Sequence, residues 1–124
     1  MARAMGDGET LRAFTVAVLD AAADDAKGVV PVIMAVAGGI LASAEPGTVT
    51  LRDIDDGAGG VLWASFGGER MAFRYNPMSA MIELRAGTLD GHPLRLFGRR
   101  SLAMDITNFF GPSREAQAFR TRGR

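Results

Sequence analysis

Residues 61–86 read VLWASFGGERMAFRYNPMSAMIELRA, and the reading of this stretch decides the fold. Apolar and polar residues alternate along it with a period of two, the signature of half-buried strands. Gly67-Gly68 separates two such runs as a two-residue hairpin turn of the kind whose central residues need positive φ. That turn pairs Phe66 with Glu69, Ala64 with Met71 and Leu62 with Phe73. A second, even-length turn around Pro77-Met78 pairs Tyr75 with Ala80, Phe73 with Ile82 and Met71 with Leu84. Together the two hairpins, from independent turns, put Leu62, Ala64, Phe66, Met71, Phe73, Ile82 and Leu84 on one apolar face. Slipping either strand by one residue would bury Trp63 and expose Phe73, Ile82 and Leu84, so the pattern disfavours it.

Two more strands flank this core. Thr48–Ile54 (TVTLRDI) precedes it after the Pro46-Gly47 break, and Leu94–Phe97 (LRLF) follows the Asp90-Gly91 turn. In the last strand Leu94 and Leu96 are expected on the core face and Phe97 outside.

Upstream, the period is helical. Leu11, Phe14, Val18 and Ala22 form one stripe in a helix over 9–26, with Gly28 as its stop. Pro31 then opens a second helix through Ala44. The 17 residues from Gly28 to Ala44 carry no charge. A membrane span needs about 20 strongly apolar residues. This run contains three glycines and a proline, so it reads as a buried helix and no membrane span is expected. Ala35, Gly39, Ala42 and Ser43 are small residues at helical spacing, and Gly38 and Gly39 each cost about 1 kcal/mol relative to alanine. Close packing by another element or a second subunit would offset that cost. Downstream, Ser101 can cap a helix over Leu102–Phe110, with Leu102, Ile106, Phe109 and Phe110 on one face and Gly111-Pro112 ending it.

These elements give an α+β fold: two N-terminal helices, an antiparallel meander of four to five strands, and a C-terminal helix packed on one sheet face. At 124 residues the chain supports one domain, over 1–112, followed by a basic tail at 113–124. The formal charge of zero is the sum of two unlike halves. Residues 1–60 hold nine acids and four bases, and residues 61–124 hold five acids and ten bases. That asymmetry suits self-association, with a dimer expected, better than a bulk grip on nucleic acid.

Composition excludes several chemistries. Zero cysteines rule out disulfides, thiolate metal sites and a cysteine nucleophile. The single histidine, His92, rules out any His-pair metal site and lies in an Asp-Gly-His-Pro turn. Asp53, Asp55 and Asp56 fail as a calcium loop, because the position that needs a glutamate is Ala64. Gly57–Gly60 fails as a phosphate loop, because it leads into a strand. No metal, cofactor or catalytic residue is therefore expected. No apolar leader follows the first methionine, and this with the missing cysteines points to the cytoplasm.

The opposite face of the sheet holds the main candidate site. It carries Trp63, Arg70, Arg74, Met81, Glu83 and Arg85, with Trp63 and Glu83 both placed opposite Ala72. Tryptophan and arginine are the residue types that anchor interfaces. The reading is a non-enzymatic binding or adaptor protein that acts through this face and self-associates. The second contact surface is the helix bearing Ala35, Gly38, Gly39 and Ala42. One alternative is a carrier or enzyme with an apolar pocket between helices and sheet. Another is nucleic-acid binding through the arginine-rich tail.

Overall fold

The computed structural model of the protein describes residues 6–52, 60–87, 93–98, 106, 109 and 110. Helix α1 spans Asp7–Ala22 and helix α2 spans Ala26–Ser43, with a 3-10 turn at Ala23–Asp25 between them. Strands β1 (Thr50–Arg52), β2 (Val61–Phe66), β3 (Glu69–Asn76), β4 (Met81–Ala86) and β5 (Arg95–Phe97) form one antiparallel sheet in sequence order. The architecture is α+β.

The two helices form an antiparallel hairpin. Its open end is tied where the Gly47 N–H, just past α2, donates to Asp7 Oδ2 at the start of α1 at 2.9 Å. The apolar stripes of both helices, Leu11, Phe14 and Val18 with Val32, Ile33, Val36 and Ile40, are buried against Leu62, Phe73, Ile82 and Leu84 of the sheet. Each such side chain contributes roughly 1.5–3 kcal/mol when fully covered.

The helix boundary falls earlier than expected. The turn sits at Ala23, whose φ is 50°, so Gly28 lies inside α2 and Pro31 is its sixth residue rather than its first. Gly28 is therefore not a stop. Continuing the helix through it places Val29 and Val32 on the buried stripe that Ile33, Val36 and Ile40 extend. Pro31, the sixth residue of α2, removes one helical hydrogen bond, a cost that burial of this stripe offsets.

The β2–β3 register is the one the sequence predicts. Phe66 faces Glu69, Ala64 faces Met71 and Leu62 faces Phe73, around Gly67 and Gly68 at φ 58° and 84°. The β3–β4 register is shifted by two residues from expectation: Phe73 faces Leu84, Tyr75 faces Ile82 and Asn76 faces Met81. Asn76 causes the shift by holding a longer turn. Its side-chain Oδ1 accepts the Met78 N–H at 2.9 Å and its carbonyl accepts the Ala80 N–H at 2.8 Å. Ala80 takes φ 57°, so four residues, 77–80, make the turn. An even shift preserves which face each side chain occupies. The apolar face is accordingly as expected, with Tyr75 added and fully buried.

The last strand reverses its expected parity. Phe97 faces Ile82 and is buried, while Leu94 and Leu96 are exposed. Gly87, at φ 70°, follows β4 directly and redirects the chain. In the first strand, Ile54 lies outside the described residues. Of the expected helix over 102–110, Ile106, Phe109 and Phe110 have helical backbone, and Ile106 and Phe110 are buried. The rest of that span, His92, the 53–59 loop and the 113–124 tail lie outside the described residues.

The small residues of α2 divide into two groups. Gly39 packs under Phe110: a Cβ there would lie 2.1 Å from a ring carbon. Gly38 faces open space, and Ala42 is exposed beside it. Ala35 is half-buried against the core. This yields two substitutions of opposite sign. Gly39→Ala must displace an aromatic ring and should cost about 1–3 kcal/mol. Gly38→Ala has room and should gain about 0.5–1 kcal/mol from helix propensity. Urea unfolding of both variants measures the pair, and equal effects would contradict the packing described.

Candidate functional site

The alternation that buries Leu62 and Phe73 turns Trp63, Arg70, Arg74, Glu83 and Arg85 to the other face of the sheet. Cross-strand neighbours on one face lie close enough for long side chains to meet. Trp63 faces Ala72 from β2, and Arg85 faces the same alanine from β4. Ala72 thus lies buried between an indole and a guanidinium. Arg70, diagonal to Trp63, lays its guanidinium 4.9 Å from the centre of the indole ring. That contact holds an exposed arginine in one place through the negative face of the ring.

The two-residue shift relocates Glu83. It faces Arg74 and not Ala72, which corrects the sequence expectation. Its side chain is buried and both carboxylate oxygens are used. Oε1 accepts from Arg85 Nη2 at 2.9 Å and from Arg85 Nε at 3.3 Å, and Oε2 accepts from Asn76 Nδ2 at 3.0 Å. Burial opposes the charged form. The hydrogen bonds from Asn76 and Arg85 and the charges of Arg85 and Arg74 outweigh it and hold the carboxyl below its ordinary value. Glu83 therefore organises two arginines. Met81 sits apart from this group, half-buried against Gly98.

A cleft of about 500 Å³ opens beside the indole, lined by Thr50, Leu51, Arg52, Trp63, Arg70 and Gly87. Thr50 faces Trp63 and Arg52 faces Val61 across the β1–β2 pair. Arg52, Thr50 and Asn76 are absent from the sequence-based site. Alternation in TVTLRDI puts Thr50 and Arg52 on one face, but no short turn sets the register of β1. In the sequence, Asn76 before Pro77 carries the signal of a turn and none of binding.

Among the described strand residues, this face carries four arginines (Arg52, Arg70, Arg74 and Arg85) and one carboxylate, Glu83. The arrangement supplies guanidinium donors around a flat aromatic surface. Guanidinium groups can donate charge-assisted hydrogen bonds to an anionic group.

The depressed carboxyl of Glu83 gives a pH dependence with a defined sign. A group whose acidity is increased by folding stabilises the protein above its unfolded value, near 4.5 here, and that contribution is lost as the pH falls through the folded value. Glu83→Gln should cost about 1–2 kcal/mol near pH 6, because the charge is lost and the amide has one acceptor oxygen where Asn76 and Arg85 each need one. The gap from the unsubstituted protein should close as the pH falls from about 5 to about 3. Unfolding curves for both proteins across that range measure it, and a gap that stays constant contradicts the account.

No curated protein matches the chain. A family described as Integron cassette protein VCH_CASS1 chain matches residues 11–104. That span begins at Leu11 of α1, runs past β5 and takes in every described residue of the Trp–Arg face. Since the match covers about three quarters of the sequence, including the helical hairpin and the whole sheet, the chain belongs to the family of the integron cassette protein VCH_CASS1 chain.

Proposed function

We propose that the protein is a small, non-enzymatic cytoplasmic binding module that pairs with a second copy through α2 and meets an anionic protein partner with its outer sheet face. The observation that carries the reading is the Arg70 guanidinium seated on Trp63 beside a cleft that Arg52 also lines. An aromatic–arginine centre of this kind is the usual composition of interface anchors. A preordered guanidinium loses little freedom when a carboxylate arrives.

Self-association is supported by the other side of the molecule. Val30, Met34 and Leu41 recur along α2 and are 41%, 59% and 58% exposed. Gly38 lies on the same side with open space above it. An apolar stripe of this length is costly to leave in water. A second copy can cover it about a two-fold axis, each stripe meeting its equivalent. By length and composition the helical run Asp7–Ser43 could cross a membrane. Val29, Val32, Ile33, Val36 and Ile40 of α2 are instead packed in the core with the sheet, which supports a helix of the folded domain. The dimer would leave both Trp–Arg faces pointing outward.

Sedimentation velocity at micromolar concentration, with and without a hexaglutamate peptide, tests both contacts. The unsubstituted protein should run as a dimer and Met34→Asp as a monomer. Trp63→Ala and Arg70→Ala should remain dimeric and bind the peptide about tenfold more weakly. A protein that stays monomeric removes the α2 contact, and unchanged peptide binding in both variants removes the sheet-face contact. Salt-sensitive oligonucleotide binding that disappears on deleting residues 113–124 would favour the tail instead.

A further inference from the structure

A second concavity lies on the inner side of the sheet, where the end of α2 meets the β2–β3 turn. Its volume is about 440 Å³, within the range of small-molecule sites. Phe66, Phe73, Phe109, Phe110 and Met71 form its apolar walls. The rings are a connected set: Phe66 lies 6.0 Å from Phe110 and 6.1 Å from Phe73, and Phe109 lies 5.1 Å from Phe110, centre to centre. Phe66 is half-buried, so part of this aromatic surface remains open.

Among the described residues that line the cavity the charged groups are Glu45 and Glu69, with no lysine, arginine or histidine. Glu45 is fixed in place: its Oε2 accepts the Gly68 N–H at 2.6 Å, and its own N–H donates to the Ser65 carbonyl at 2.8 Å. Glu69 stands across the turn and is exposed. One wall already receives a cation within the molecule, since the Arg95 guanidinium lies 5.3 Å over the Phe109 ring.

We infer that this cavity binds a small apolar cation, an aromatic or quaternary amine whose charge sits between Glu45 and Glu69 and whose body lies on the phenylalanines. Rings offer such a ligand their negative faces and apolar area together. The carboxylates select it over a neutral or anionic molecule of the same shape. This site is independent of the Trp63 face, which lies across the sheet and attracts the opposite charge.

The test is a titration of the full chain, followed by backbone amide NMR, with benzyltrimethylammonium, its neutral isostere neopentylbenzene, and phenylacetate. The cation should shift the amides of Gly67, Glu69 and Phe109, bind at least about threefold more tightly than the neutral isostere, and outcompete phenylacetate. Glu69→Gln, at an exposed position, should weaken the cation about threefold to tenfold and leave the isostere unchanged. Trp63→Ala should leave cation binding intact. Absence of shifts at these three amides overturns the proposal. So does equal affinity for cation and isostere, or a Glu69→Gln variant that binds the cation as tightly as the unsubstituted protein.

Discussion

The structure depends on one two-residue turn. Gly67 and Gly68 both adopt positive φ, and this closes β2 onto β3 with Phe66 opposite Glu69. Every side chain in the two strands then has its face assigned by parity. Phe73 and Leu62 go to the helices, and Trp63 and Arg70 go to the other side. A loop with one residue more or fewer would exchange the core for the site. The same turn also places Glu45 and Glu69 at the mouth of the inner cavity, because Gly68 holds the Glu45 carboxylate. Core, outer face and cavity share that constraint.

The packing is built outward from the face so defined. The helical hairpin covers the strands with the stripes of α1 and α2, and the Gly47–Asp7 hydrogen bond closes its open end. Gly39 lets Phe110 reach α2 closely, and Phe110 in turn lies 6.2 Å from Phe73. A glycine that weakens the helix locally thus serves a contact between three elements distant in sequence. Among the described residues, Val30, Met34 and Leu41 of α2 stay exposed.

Much of this arrangement was legible in the sequence, for a physical reason. Strand parity has only two values, so the β3–β4 register could be displaced by two residues without moving any residue to the wrong face. What the displacement changed was neighbours: Glu83 came to face Arg74 instead of Ala72, and Asn76 became its hydrogen-bond donor. Those contacts depend on how a side chain shapes a turn, which composition does not reveal. The last strand was misread because parity after Gly87 depends on the path of a longer connection. Gly28 and Pro31 were misread as a helix boundary because local punctuation yields when burial of Val29 and Val32 rewards continuing the helix. The small residues of α2 signalled a close approach, but only the fold identified Phe110 as the group that makes it at Gly39.

The central claim is that the outer face presents a positive field around an accessible indole. Trp63 is the only tryptophan in the chain, so its fluorescence reports on that site alone. The direct measurement compares quenching by iodide, an anion, with quenching by caesium at low ionic strength. Arg52 and Arg70 should concentrate iodide at the ring, giving several-fold stronger quenching than caesium, and added inert salt should reduce the difference. Equal quenching by the two ions, or stronger quenching by caesium, would contradict the account.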